Sequence, residues 1–283
     1  MKNIIKTYSS VPGEKEGKRN IICPVCGSNA FKSKWQIEKA VFSECPGCGL
    51  ILQNPQPVSA DLKARYNIKY FNYELENEEN FFNLMIRGLN DIKFFQQVAP
   101  SIPGKEILDV GCATGRLLNH FKKSGWHTAG VELCIESADY GNRKYNVGII
   151  PSTIEKASFS DNSFSFIHAS HVIEHVPDPD MFVKEIYRIL KPGGAFVCVT
   201  PSSASLQACL FRKNWRSAIP DHLFLFNKRN LAELLGKNGL YVDKVKTWGG
   251  LAAGSVPLPL KKLADKSAKI FNCGDVVLLL ARK

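Results

Sequence analysis

Long apolar runs are missing from this sequence of 283 residues. The best candidate, Val276 to Ala281, is far shorter than the roughly 20 apolar residues that a membrane-spanning helix needs. Residues 1–20 are lysine-rich and lack the apolar core of a secretion signal. These absences predict a cytoplasmic protein without a transmembrane segment, with a disordered tail over residues 1–20.

The cysteines do not indicate a disulfide framework. Of the nine cysteines, four form two close pairs and five lie far apart in the sequence. This pattern is typical of a reducing compartment, where an isolated cysteine serves as a small core side chain. We therefore expect the isolated cysteines to be reduced and mostly buried: Cys112, Cys134, Cys198, Cys209 and Cys273.

Acidic residues are scarce in the last third of the chain. Residues 201–283 carry 14 Lys and Arg against 5 Asp and Glu, and so hold most of the formal net charge of +11. An anionic partner would meet the chain there. On charge alone, a solvated lysine-rich surface is the favoured interpretation.

The four paired cysteines have the spacing of metal ligands. They occur as Cys23-Pro-Val-Cys26-Gly and Cys45-Pro-Gly-Cys48-Gly, with a segment between them that alternates enough for a hairpin. Such knuckles present four thiolates tetrahedrally, which predicts a zinc ribbon over residues 21–57 with structural Zn²⁺. Chance clustering and redox pairs are the alternatives. Since the segment has no dense basic face, a structural staple is favoured over nucleic-acid recognition.

A glycine-rich turn marks the start of the main domain. Ile107 to Val110 is typical of a strand buried on both faces, Gly111 to Gly115 forms a small-residue loop, and helical periodicity follows. Free N–H groups at such a helix start favour an anionic or nucleotide-like ligand. Glu132 ends the next apolar run, where an acid can accept hydrogen bonds from a ribose.

From residue 105 onward the sequence alternates between strands and helices. This predicts an α/β fold with a doubly wound, Rossmann-like, seven-stranded sheet, preceded by the small zinc ribbon. A connector or cap over residues 58–104, with a helix at 81–98, is predicted to join the ribbon to the domain at 105–283. We expect strands at 105–110, 127–132, 147–150, 164–170, 194–200, 241–247 and 275–282, and helices at 115–124, 135–145, 179–190 and 228–238.

Two further segments complete a family pattern. His-Val-Ile-Glu-His follows the predicted fourth strand, and Leu-Lys-Pro-Gly-Gly precedes the fifth. Together with Leu-Asp-Val-Gly-Cys-Ala-Thr-Gly, they resemble the class I S-adenosylmethionine (SAM)-dependent methyltransferases over about residues 105–283. The upstream ribbon is similar to the N-terminal zinc-binding domain of some bacterial methyltransferases, among them sugar C-methyltransferases. Those sugar enzymes have a further C-terminal domain, for which this chain is too short.

The resemblance implies roles for particular residues. The segment after the third predicted strand carries Ser-Thr-Ile where relatives often have an acid, and Ser165 stands where many have Asp. The residues of the glycine-rich loop would hold the methionine end of SAM, and Glu132 would bind the ribose hydroxyls. Thr153 and Ile154 would lie beside the adenine. The implied cofactor-binding residues are Asp109, Gly111, Ala113, Gly115, Glu132, Thr153, Ile154 and Ser170.

Methyl transfer requires the acceptor to be aligned with the methyl group of SAM. For some acceptors it also requires a base that removes the acceptor's proton. The candidates for catalysis are His171, His175 and His222, with Glu174 beside them. An inverted zinc-protease pattern is discounted because Pro177 shortens the segment. Some relatives hold a divalent metal through Glu-x-x-Glu-His at this place. Metal binding, base catalysis and simple packing therefore remain open for this group.

The favoured function is methyl transfer from SAM to a small-molecule or carrier-linked acceptor, either glycan- or lipid-linked. RNA methylation, with nucleic acid as a less favoured partner, and a catalytically silent binding module are the alternatives. A predicted amphipathic helix from Pro259 suggests peripheral membrane contact, although a plain surface helix is favoured. It places Leu260, Leu263, Ala264, Ser267 and Ile270 on one face. The sequence defines no oligomeric state.

Overall fold

A seven-stranded sheet forms the centre of the computed structural model, which describes residues 17–57, 65–250 and 257–283. The strand order is β12-β13-β10-β9-β6-β7-β8, and β13 runs antiparallel to both of its neighbours while the remaining pairs are parallel. The strands are β6 (Glu106–Val110), β7 (His127–Val131), β8 (Ile149–Ile150), β9 (Phe164–Ser170), β10 (Leu190–Pro201), β12 (Tyr241–Trp248) and β13 (Val276–Arg282).

Helices cover both faces of this sheet because its central strands are apolar on both sides. One apolar cluster contains Leu108, Ile167 and Phe196, and the other contains Ile107, Phe166 and Val197. Neighbouring residues of one strand therefore pack into opposite layers. The helices are α1 (Ile68–Asp91), α2 (Arg116–Lys123), α3 (Ile135–Tyr145), α4 (Pro179–Ile189), α5 (Leu206–Phe211), α6 (Lys228–Lys237) and α7 (Leu258–Phe271).

The predicted doubly wound fold is confirmed. Each predicted strand and each predicted helix of the main domain overlaps an observed one. The largest boundary difference among the strands is at β10, which begins at Leu190 because the Lys-Pro-Gly-Gly turn lies inside the strand as a register shift between Leu190 and Ala195. Helix α5 was missed, since six residues are too few to show a helical period.

The prediction of a helix at 81–98 was wrong at both boundaries, because the observed helix spans Ile68–Asp91. Helix α1 begins after Asn67, whose side chain accepts hydrogen bonds from the backbone N–H groups of Lys69 and Tyr70. It ends at Asp91, and a short π-helix at Phe94–Val98 follows. The tyrosine-rich and glutamate-rich part of the connector is therefore helical, in line with the good helix propensity of glutamate.

The ribbon is built from more of the chain than residues 21–57. Strands β2 (Lys32–Ile37), β3 (Ala40–Glu44) and β4 (Ile51–Gln53) form the predicted hairpin and a third strand, and β11 (Phe224–Leu225) from the main domain pairs with β4. Strand β1 (Lys18–Arg19) pairs with β5 (Gln56–Pro57). Lys18 and Arg19 thus correct the predicted tail, whose residues 1–16 lie outside the described residues.

The C-terminal segments agree only in part with the sequence prediction. Helix α7 is present, and Ala268 is the buried one among its described side chains, while Ile270 is 64% exposed and so does not lie on a buried face. The side chains of Leu260, Leu263 and Ala264 lie outside the described part of the structure. Among the described helices, none has the length and apolarity needed to cross a membrane.

Three of the five isolated cysteines are buried as predicted. Cys112, Cys134 and Cys198 lie in the core, whereas Cys273 is half-buried and Cys209 is exposed. The prediction is therefore wrong for Cys209, because helix α5 turns this residue toward solvent.

Candidate functional site

The glycine-rich loop leaves the carboxyl end of β6 in a left-handed conformation. Gly111 has φ of +69°, and a Cβ there would approach Val172 Cγ2 to 2.6 Å. Gly115, with φ of +75°, directly precedes α2. A side chain at either glycine would be strained or would clash. The loop therefore presents bare backbone, and Gly111 is exposed at the edge of the sheet.

Glu132 fixes this loop from the neighbouring strand. Its Oε2 accepts a hydrogen bond from the Ala113 N–H and its Oε1 accepts one from the Cys134 N–H, both at 2.9 Å. Burial raises the pKa of Glu132, although these backbone donors oppose the shift. Each carboxylate oxygen retains a lone pair, so Glu132 can accept hydrogen bonds from a diol as well.

Asp109 lies under the loop with one oxygen unpaired. Its Oδ1 is 2.7 Å from His168 Nδ1, and both side chains are buried. Its Oδ2 is buried and has no hydrogen-bond partner among the described residues. An orphan carboxylate oxygen costs free energy, which a cationic ligand group would recover.

The other predicted cofactor residues line the same edge of the sheet at different depths. Ser170 ends β9 and is half-buried, and Thr153 is half-buried in the turn after β8. Ile154 is only 2% exposed and packs in the core cluster with Val131 and Ile173. No observation on the described residues tests the roles that the sequence assigned to them.

A buried carboxylate organises the candidate catalytic group. Glu174, 1% exposed, accepts from His171 Nδ1 at 3.2 Å and from Thr200 Oγ1 at 2.9 Å. Burial alone would raise its pKa, but the hydrogen bond from His171 and the charges of His171, His175 and His222 bring it to about 2. Glu174 is therefore a carboxylate at neutral pH.

Two histidines near this carboxylate each donate their Nδ1–H to a backbone carbonyl. His175 Nδ1 donates to the carbonyl oxygen of Asp221 at 2.9 Å, and His222 Nδ1 donates to that of Ser217 at 2.7 Å. These bonds leave both Nε2 atoms as acceptors. The two rings lie 4.7 Å apart, and burial lowers the pKa of His222 to about 4.

The structure brings three of these four residues together. One ligand atom each from Glu174, His175 and His222 lies within 4.8 Å of the others. His171 is exposed and joins this group only through its hydrogen bond to Glu174. Donation of each Nδ1–H to a backbone carbonyl is the arrangement that orients histidine metal ligands.

Helix α1 and the residues just before it bring further side chains close to Glu132 and Asp221. Arg65 forms an ion pair with Asp221 at 3.1 Å, which joins this segment to the residue that precedes His222. Tyr66, Tyr70 and Glu74 lie close enough to Glu132 for its charge to raise their pKa values in addition to burial, to about 12 for Tyr66 and about 7 for Glu74. The signal in the sequence was the tyrosine-rich composition of the connector, since such aromatics either close over a ligand pocket or pack against the main domain.

The four ribbon cysteines converge on one point. The Sγ atoms of Cys23 and Cys48 are 3.5 Å apart, those of Cys26 and Cys45 are 3.4 Å apart, and all four lie within 4.8 Å of one another. These distances are far longer than the roughly 2.05 Å of a disulfide. Burial raises the pKa of Cys23 to about 11, so four thiolates need a cation among them.

Comparison with known families and proteins adds sequence evidence. A family model described as a methyltransferase domain matches residues 82–245. A sterol 4-C-methyltransferase of Caenorhabditis elegans is 33% identical over 97 residues, 32% of this chain and 29% of that protein. A demethylmenaquinone methyltransferase of Staphylococcus saprophyticus is 28% identical over 178 residues, 53% of this chain and 76% of that protein.

A malonyl-[acyl-carrier protein] O-methyltransferase of Erwinia billingiae is 29% identical over 104 residues, 36% of this chain and 41% of that protein. This chain thus spans less than half the length of two of these three relatives. Among solved structures, a SAM-dependent methyltransferase of Thermotoga maritima is 25% identical with a TM-score of 0.50, covering 72% of this chain and 97% of that one. One of Archaeoglobus fulgidus, 19% identical, has a TM-score of 0.53 over 75% of this chain and 99% of that one.

Proposed function

This chain belongs to the class I SAM-dependent methyltransferases, and on that premise we propose that it methylates a small-molecule or carrier-linked acceptor. The relatives named for a sterol, demethylmenaquinone and malonyl-[acyl-carrier protein] support an acceptor of this size and kind. The observation that carries the proposal is the edge of the sheet where Asp109, the glycine loop and Glu132 meet.

The residues at this edge fit SAM. The orphan Oδ2 of Asp109 suits a cationic amino group, and Gly111, exposed at the edge of the sheet, presents backbone without a side chain to a ligand. Glu132 can accept from ribose hydroxyls while it holds the Ala113 and Cys134 N–H groups. Bound SAM supplies a methyl group already activated as a sulfonium.

The histidines can take the acceptor's proton. At neutral pH the lowered pKa of His222 keeps its Nε2 unprotonated, and a ligand atom of His175 lies within 4.8 Å of one of His222. A hydroxyl or amine acceptor that reached these side chains would transfer its proton to one of their ring nitrogens. The Glu174 carboxylate would stabilise the resulting imidazolium.

Calorimetric titration with SAM tests the cofactor assignment. Wild-type, zinc-replete protein should bind SAM, and Glu132→Ala should lower the affinity by at least tenfold because the ribose loses its acceptors. Glu155→Ala, an exposed acid beyond the loop, is the matched control and should bind as wild type. A thermal melt of each variant separates lost binding from unfolding. Wild-type protein without measurable SAM binding would contradict the proposal.

A divalent cation at Glu174, His175 and His222 is a second proposal for this group. Two imidazole nitrogens and one carboxylate oxygen suit a first-row transition metal or Zn²⁺. Electron paramagnetic resonance titration with Mn²⁺ should show a bound ion that His222→Gln abolishes. His171→Gln removes a histidine outside the three-residue group and should retain the ion. Equal Mn²⁺ affinity of wild-type protein and both variants would contradict a cation site at these residues. The histidines would then serve only as bases.

A further inference from the structure

A groove lies between the ribbon and the methyltransferase domain. It encloses about 610 Å³, which is within the range of about 300–1,000 Å³ for small-ligand sites. Trp35 and Lys34 line it from the ribbon, and Ser203, Cys209 and Arg212 line it from the segment after β10. Neither the family match nor the sequence analysis assigns a role to this groove.

The groove carries one uncompensated positive charge. Lys34 and Glu44 form an ion pair at 2.6 Å, so together they add no net charge to the lining. Arg212 is exposed and makes no hydrogen bond or ion pair through its side chain with any described residue. A guanidinium with all its donors available matches a phosphate or carboxylate.

The backbone at Arg212 is held in a strained conformation. Its φ is +49° and its ψ is −118°, although it is not glycine. The Arg212 N–H bonds to the carbonyl of Ala208, and the Arg212 carbonyl accepts from the Trp215 N–H. Non-glycine residues in such conformations persist where the surroundings fix them, commonly at ligand sites.

Trp35 gives the groove a flat aromatic wall. It packs beside Trp215, Ala208 and Ile51, which hold the indole in place. An indole face stacks well on a sugar or a heterocyclic base. The groove therefore offers an aromatic ring from the ribbon and an anion-binding group from the segment after β10. The Lys34 ammonium lies 5.6 Å from the centroid of the same indole.

The groove also lies within reach of the transfer site. Ser203 lines it, and Thr200, three residues earlier, donates to Glu174. Three residues span at most about 11 Å. On the ribbon side, Ile51 lines the groove, and Gln53, two residues later, donates through Nε2 to the carbonyl of His222 at 2.8 Å.

We propose, resting on the methyl-transfer function above, that this groove binds the phosphate-bearing end of the acceptor, with the phosphate on Arg212 and a ring on Trp35. The acceptor is then a phosphorylated sugar, free or nucleotide-linked. Its unphosphorylated part extends along Ser203 toward Glu174 and His222. The ribbon thereby becomes half of the acceptor site as well as a structural element.

Binding of three probes to the zinc-replete full chain tests this. Uridine diphosphate, glucose 1-phosphate and uridine are titrated by calorimetry, with SAM titrated in parallel. At least one phosphorylated probe should bind, and Arg212→Gln should weaken it by at least tenfold. Lys213→Gln is the matched control, since Lys213 is the next exposed cation and does not line the groove. Tighter binding of uridine diphosphate than of glucose 1-phosphate would identify a nucleotide-linked acceptor.

Cys209 supplies a readout from inside the groove. It is exposed and lines the cavity, so a bound probe should slow its alkylation by iodoacetamide, measured by peptide mass spectrometry. Trp35→Phe keeps an aromatic ring in the groove, so a bound probe should still partly protect Cys209 from alkylation in this variant. Because the substitution is conservative, a loss of protection is not caused by unfolding. The proposal is overturned if SAM binds while neither phosphorylated probe does, or if Arg212→Gln and Lys213→Gln bind alike. Absence of SAM binding would contradict the methyl-transfer function instead.

Discussion

At the scale of single residues, Glu74 is a carboxyl group of α1 whose pKa is raised by packing at the cofactor edge. Its carboxyl group faces Glu132, and Tyr70 forms a hydrogen bond with it. Burial and the charge of Glu132 raise its pKa from 4.5 to about 7. Because the native state then binds the proton more tightly than the unfolded chain, the contribution of Glu74 to stability falls as pH rises from about 4.5 to 7.

Glu74→Gln should therefore be more stable than wild type above pH 7, by on the order of 1–2 kcal/mol, with the difference fading toward pH 4.5. Urea denaturation at a series of pH values measures this difference, and groups common to both proteins cancel. Glu76→Gln, exposed on the same helix, should show no such trend. A pH-independent difference for Glu74→Gln would contradict the contact between α1 and Glu132.

At the scale of elements, the sequence was informative wherever a signal was local. The strand, glycine loop and helix around Gly111 could be predicted because strand period, loop composition and helix start follow one another within about a dozen residues. The start of α1 was missed because a single Asn67 cap defines it within a tyrosine-rich segment. Strand β11 was missed because two residues show no period and pair only with a distant partner.

Contacts between elements explain what remained unpredicted in the site. Asp109 and His168 meet because β6 and β9 are neighbours in register, and they are 59 residues apart in sequence. Glu174 and His222 meet because the Leu223 N–H bonds to the Glu174 carbonyl. The spacing of the motifs in the sequence identified residues that lie in this site. Only the order of the strands in the folded sheet shows which of these residues contact one another.

At the scale of the whole molecule, the ribbon and the methyltransferase domain share one sheet and one core. Leu50 and Leu52 of the ribbon pack in the cluster that holds Leu223 and Phe226. Gln53 Nε2 donates to the carbonyls of Pro220 and His222 at 2.7 and 2.8 Å. The position of His222 thus depends on the ribbon, which is too small to fold on its own core.

If the four-cysteine cluster holds zinc, as we propose, removal of that ion should affect the His222 side of the site and spare the SAM side. We expect Cys45→Ser, or chelation of wild type, to increase hydrogen exchange across β4 and residues 220–225. SAM affinity should change less than threefold, because Asp109, Gly111 and Glu132 lie on strands and loops without ribbon contacts in the described hydrogen bonds. Cys209→Ser is the matched control, since Cys209 lies outside the four-cysteine cluster. Unchanged exchange at 220–225 after metal loss, with the zinc measured as absent, would show that the ribbon does not support His222.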